Sequence, residues 1–264
     1  MHRIIQTWLA GGAAAVILAA WAGPAAAQAF TQDEGHGRVI TSLLWSTSNK
    51  GFDDDGKVVD IADYQKTEVY FLAEYGLTDD LTLLVTPSLR NVSVDSGSDS
   101  SGFGYTDVGA RYALVRSGGL VISAQGLARF PGQKRRDVLA QVGSTDMEYD
   151  LRGQAGYSFS TGSFAILEGG YRLRSGEPPN AFNIDATLGI RAAPRLLLLA
   201  SSYNTISDGR GRGVFAPYRY HNVYLSGAYD VSRHVTVQLG VSGTVAGRNA
   251  LRERGLVGGV WYRF

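Results

Sequence analysis

Hydrophobicity in this chain repeats every second residue. In HVTVQLGVSGTV, which begins at His234, Val235, Val237, Leu239, Val241 and Val245 alternate with Thr236, Gln238, Ser242 and Thr244. In AFNIDATLGIRA, Phe182, Ile184, Ala186, Leu188 and Ile190 stand opposite Asn183, Asp185, Thr187 and Arg191. In DMEYDLRGQAGYSF, Met147, Tyr149, Leu151, Ala155, Tyr157 and Phe159 stand opposite Glu148, Asp150, Arg152, Gln154 and Ser158. Such alternation marks strands with one apolar and one polar face. Runs of roughly ten to twelve residues are long beside the usual five or six.

Two kinds of connection take turns between the strands. The short ones are GLTDD (76–80), RSGG (116–119), STGS (160–163), AAPR (192–195) and VSRH (231–234), all tight-turn compositions. The longer polar ones are residues 49–63, 95–104, 132–145, 175–180, 207–217 and 247–250. Short and long alternate strictly, giving about twelve strands, an even number, with both termini at the short-turn end. That is the pattern of an all-β, transmembrane, antiparallel up-and-down barrel of the bacterial outer membrane, with short periplasmic turns, longer external loops and both termini periplasmic.

The N-terminus is consistent with export. Arg3 precedes an apolar run from Trp8 to Trp21, then Gly23-Pro24 and Ala25-Ala26-Ala27. This is the order of a secretory signal with a small-residue cleavage site, so residues 1–27 are expected to be removed and 28–264 to form the barrel. A membrane anchor is the alternative, but the apolar run is short and interrupted. Removal takes one of the 25 basic residues and none of the 24 acidic ones, leaving a neutral chain without the basic excess that nucleic acid would call for. No cysteine is present, which excludes disulfides and thiolate metal sites. The 34 glycines and 14 tyrosines suit strands, and no stretch of the mature chain has the roughly 18 apolar residues of a membrane helix.

The chain ends in LVGGVWYRF. Leu256, Val260, Tyr262 and Phe264 share one face and run to the last residue. A membrane-spanning sheet must close, because unpaired edge groups in lipid cost several kcal/mol each, so a last strand that pairs with the first needs no polar tail. These four residues resemble the terminal signal by which the barrel-assembly machinery recognises its clients. Tyr75, Tyr112, Tyr229 and Trp261 near turn ends suit aromatic girdles. A soluble β-sandwich would not require the long-loop, short-turn alternation.

If apolar faces meet outer-membrane lipid and lipopolysaccharide, polar faces fill the lumen. By parity the inward set includes Glu68, Glu74, Asp107, Arg111, Gln125, Arg129, Glu148, Asp150, Arg152, Gln154, Glu168, Arg172, Arg174, Asp185, Arg191, Asn222, Asp230 and Gln238. A twelve-stranded barrel tilted near 40° is roughly 24 Å across its backbone, leaving a passage of about 10 Å or less. The charges either pair across the lumen as structure, since each would be costly alone, or form a pattern that selects what passes. Arg172, beside Gly169 and Gly170, sits mid-barrel and would pair with Asp185 or Asp150.

Other signals are weaker. DDDG at Asp53 and DSGSDSS at Asp95 lack a complete calcium-loop spacing. DGRGRG (208–213) lacks the ending and setting of a phosphate loop. The basic QKRRD (133–137) suits contact with lipopolysaccharide. No cofactor or metal is expected. The mature chain has three histidines, His36, His221 and His234; His221 faces lipid with Val223 and Leu225, and no serine beside it forms a hydrolase motif. An enzyme is therefore not expected.

The segments 68–89 and 104–132 carry YGLTDDLTL (Tyr75 to Leu83) and DVGARYAL (Asp107 to Leu114). Over about residues 60 to 132 the chain resembles the barrel family named after a protein of the meta-pathway of phenol degradation. The resemblance implies an outer-membrane, transporter-like barrel, with uptake of hydrophobic or aromatic compounds proposed for some relatives. It carries a turn and a strand, so no site residue transfers. Gln28 to His36 is too short for the long N-terminal plug of fatty-acid transporter barrels. The expectation is a passive channel or transporter for a small molecule of unknown identity; the alternative is a structural or accessory envelope barrel that transports nothing.

Overall fold

The computed structural model describes residues 29–95, 98–132, 146–213 and 215–264. The expected signal segment 1–27 and the basic run 133–137 lie outside the described residues. Thirteen strands follow in chain order: β1 (Gly37–Phe52), β2 (Val58–Gly76), β3 (Leu81–Val94), β4 (Ser98–Ser117), β5 (Leu120–Phe130), β6 (Glu148–Ser158), β7 (Phe164–Arg174), β8 (Ala181–Ala193), β9 (Leu196–Ser207), β10 (Arg219–Asp230), β11 (Val235–Arg248), β12 (Ala250–Leu251) and β13 (Arg254–Arg263). Each long strand pairs antiparallel with its sequence neighbours, and β1 pairs with both β2 and β13. The sheet is therefore a closed barrel of twelve strands; β12 is a two-residue extra facing Gly51 and Phe52. Closure leaves no unpaired edge, which a sheet in hydrocarbon cannot afford.

The period of two is visible in the burial. Along Ala181–Ile190 every second residue is buried and those between are exposed. The exposed set is apolar, including Phe182, Ile184, Leu188, Leu198, Leu225 and Leu239, so the greasy face is the outer one. Leu256, Val260, Tyr262 and Phe264 all lie on it. The terminal pair is held by backbone bonds, Gly37 N to Phe264 O at 2.8 Å and Phe264 N to Gly37 O at 3.0 Å.

Two sequence expectations need correction. The polar stretches 49–63 and 95–104 are mostly strand rather than loop, because β1–β2 pairing continues to Phe52↔Val58 and β3–β4 pairing to Val94↔Ser98. These hairpins outrun the roughly 9–11 residues that a crossing needs. In these extensions the apolar alternation of the sequence breaks down while backbone pairing goes on. The second correction concerns Trp261, which belongs to no girdle. It is 3% exposed inside the barrel and donates to Gln238 Oε1 at 3.1 Å. Tyr75, Tyr112 and Tyr229 are exposed on the outer face.

Candidate functional site: a lumen with two unlike walls

The inward residues of β2 to β8 carry charge. Glu68 pairs with Arg90 at 2.7 Å. Glu74 holds Arg111 at 3.1 Å and also bonds Arg38. Arg129 bridges Asp107 at 3.1 Å and Glu148 at 2.7 Å, and Glu148 takes Arg174 at 3.0 Å. Asp150 accepts from Arg172 at 2.7 Å and from Arg152 at 2.5 Å; Arg152 also reaches Glu168 and, at 3.3 Å, Asp185. Lys66 meets Glu253 at 3.0 Å where the last hairpin enters the lumen.

Eight carboxylates thus meet eight basic side chains among the described residues. The physical reason is desolvation: an ion buried alone costs several kcal/mol, so each is retained with a counter-charge and hydrogen bonds. Gln125 and Gln154 join the network, Gln125 accepting from Arg111 at 2.9 Å and Gln154 donating to Glu168.

Of the two carboxylates expected for Arg172, Asp150 takes it and Asp185 does not; Glu148 lies further off at 3.8 Å. The room left by Gly170 serves Arg152 instead, since a Cβ there would stand 2.7 Å from Arg152 Cγ. Gly169 lies on the outer face. Arg191 pairs with Asp230 at 2.8 Å, half-exposed at the short-turn mouth. Parity reasoning did not single out Arg38, Lys66, Arg90 and Glu253. The first three share the period of their neighbours Ile40, Glu68 and Ser88, which was the available signal. Glu253 sits in a two-residue break between β12 and β13, where period two carries no information.

The opposite wall, β9 to β13 and most of β1, contradicts the expectation that polar faces alone fill the lumen. Ile40, Leu197, Leu199, Ala228 and Trp261 form a buried apolar cluster, with Leu72 and Phe164 against it. Above it stand tyrosines: Tyr203 and Tyr224 meet edge to face with centroids 5.2 Å apart, and Tyr218 and Tyr220 stack at 6.1 Å. Hydroxyls and amides fill the gaps. Gln238 donates to Ser226 at 2.7 Å, Thr244 to Asn222 at 2.8 Å and Thr187 to Ser201 at 2.9 Å. An inward apolar residue is tolerated because the side chains packed against it are equally apolar.

The short-turn mouth is occupied by residues 29–34, although this segment is brief. Ser123 donates to the Ala29 carbonyl at 3.0 Å and Arg111 to the Phe30 carbonyl at 2.8 Å. The Phe30 ring meets Phe164 edge-on at 6.4 Å. Gln32 N donates to Thr82 at 2.8 Å and its amide to Glu74 at 3.0 Å. Gly156 makes the docking possible: a Cβ there would lie 2.8 Å from Ala29 Cβ and 2.9 Å from the Phe30 ring.

At the other end Asp54, on the β1–β2 tip, accepts from Arg248 and Asn249, and Asn249 donates to the Pro217 carbonyl at 2.8 Å. Those hydrogen bonds, from Asn249 above all and then Arg248, hold the Asp54 carboxyl below the ordinary carboxylate range. Asn249 takes a left-handed φ of 46° to make this corner.

On the outer wall, His221 Nδ1 lies 2.8 Å from Asn204 Oδ1, and Asn204 Nδ2 donates to Ser202 at 3.1 Å. The serine is joined to the histidine only through the amide, which is not the arrangement of a nucleophile and its base. No group of three or more metal-ligating side chains is found among the described residues.

An outer membrane channel from Pseudomonas putida F1 has a similar structure, with TM-score 0.78 and 16% identity over 92% of this chain and 100% of that one. The KdgM porin, solved in complex with disordered oligogalacturonate, gives TM-score 0.54 and 11% identity over 86% and 99%. The NanC porin gives 0.54 and 9% over 83% and 98%. No curated protein sequence matches. At these identities the likeness is one of fold. The family model described as "Putative MetA-pathway of phenol degradation" matches residues 26–264, and the chain belongs to that family.

Proposed function

We propose that the chain is an outer-membrane conduit for small molecules, with the short turns on the periplasmic side. The observation that carries this reading is the two-walled lumen inside a closed barrel with an apolar exterior. A barrel built only to fill itself needs a single kind of interior. Here a self-neutralised ionic wall faces one of tyrosine, leucine, serine and threonine, which suits solutes with both an apolar body and a hydrogen-bonding group. Aromatic and hydroxylated compounds fit that description, and the family description points the same way.

Liposome swelling with phenol-sized uncharged solutes, together with single-channel conductance of the purified protein, tests it. Uptake above protein-free vesicles is expected. The other reading, a barrel that transports nothing, draws support from the occupied mouth. It requires silence in both assays even after residues 29–32 are removed.

A further inference from the structure

The lumen of the charged wall is filled by its own ion pairs. The neutral wall is packed by its apolar cluster and tyrosines but keeps small voids. Its inward positions on one row are small: Tyr224 stands opposite Ser201 on β9 and opposite Ser242 on β11, Ser242 stands opposite Gly255 on β13, and Gly255 stands opposite Ser46 on β1. Tyr224 is the one bulky side chain in that row.

Two small cavities lie along this wall. The first is lined by Leu199, Ser201, Ser226, Gln238 and Val257, the second by Ser46, Asn222, Ser242, Thr244 and the Lys66–Glu253 ion pair. Each has room for about one water molecule. Tyr224 is the residue that lines both. Its ring leans edge-on against Tyr203, with a serine on either side.

We propose that solutes cross along the neutral wall and that Tyr224 is the side chain that separates or joins the two cavities, making it the residue that sets passage. This rests on the conduit reading above and narrows the cargo to uncharged molecules with hydroxyl-like groups. A solute on this path exchanges hydrogen bonds with serine, threonine and glutamine and passes a single ion pair, Lys66–Glu253. On the opposite wall it would have to displace a whole network of buried ion pairs.

The chain has no cysteine, so single cysteines report cleanly on the path. Conductance and glycerol-driven swelling would be measured for Tyr224→Ala and Tyr224→Phe, each in the full chain and in the chain lacking residues 29–32, so that the segment at the mouth masks nothing. Tyr224→Ala should raise both several-fold in at least the shortened chain, while Tyr224→Phe keeps the parent value because ring volume is what separates the cavities. A methanethiosulfonate reagent should then lower conductance through Ser226→Cys and leave Thr86→Cys, on the charged wall, unaffected. The cysteine pair decides the matter alone if Tyr224→Ala fails to fold. Parent-like values for Tyr224→Ala in both backgrounds overturn the gate while leaving the conduit standing. Block through Thr86→Cys but not Ser226→Cys moves the path to the other wall and overturns it too. Silence of every variant removes the conduit and the gate together.

Discussion

Among single residues, Arg129 has the most at stake. It is the ion-pair partner of Asp107 and one of three arginines on Glu148. Arg129→Met should therefore strand Asp107 and destabilise the barrel by about 3–5 kcal/mol. This would be read as a lower temperature for the folded-to-unfolded shift on a gel. Adding Asp107→Asn should restore much of the loss, since it removes the stranded charge. If the double variant is no better than the single one, the pair is not what Arg129 stabilises. Arg191→Ala at the mouth should cost only about 0–1 kcal/mol, because water screens its pair with Asp230. The inward direction of these side chains was legible from parity. Their partners were not, since pairing depends on which strand lies next door and how far each side chain reaches.

Short segments at the two ends of the barrel carry the next expectations. Removing Phe264, or replacing Phe264 and Tyr262 with Ser, should lower the amount of folded protein in the outer membrane, because the deletion takes away the backbone bonds to Gly37 and the substitutions take away both outward aromatic rings. Normal levels would show that closure does not depend on them. At the short-turn mouth, deleting residues 29–32 should raise conductance, since Ala29 and Phe30 occupy lumen space next to Gly156.

The loop clasp gives a pH expectation. The Asp54 carboxyl sits below its ordinary range, so its bonds to Arg248 and Asn249 persist at neutral and mildly acidic pH and are lost as pH falls through the lowered value. A spin label at Asp55→Cys should be immobile down to about pH 4 and loosen only below it. Mobility at pH 7 would mean the clasp does not hold the tip. The short turns could be read from composition. The docking of 29–34 and the clasp could not, because both join residues far apart in the chain.

For the whole molecule the expectation is one of sidedness. Tags placed within 207–217 should be reached by antibody on intact cells, and a tag at Thr78–Asp79 should not. Labelling of the 76–80 turn from outside would invert the orientation proposed here. The long β1–β4 hairpins should stand clear of the membrane on the tagged side, which protease accessibility of 53–57 would show.

What the amino-acid order determined by itself was everything that period two encodes: the all-β class, strand number near twelve, an outward face for Leu256, Val260, Tyr262 and Phe264, and the inward face of Glu148, Asp150 and Arg152. These depend on neighbours two residues apart, which any reader of the chain can see. The tertiary structure alone decided that the lumen has two unlike walls, what Trp261 packs against, that Gly170 makes room for Arg152, and that a segment as short as 29–34 fills a mouth. Those outcomes depend on closure. Only when β13 meets β1 does Trp261 come beside Ile40 and join Leu199 in one buried cluster, and an inward apolar side chain is favourable only if something apolar packs against it.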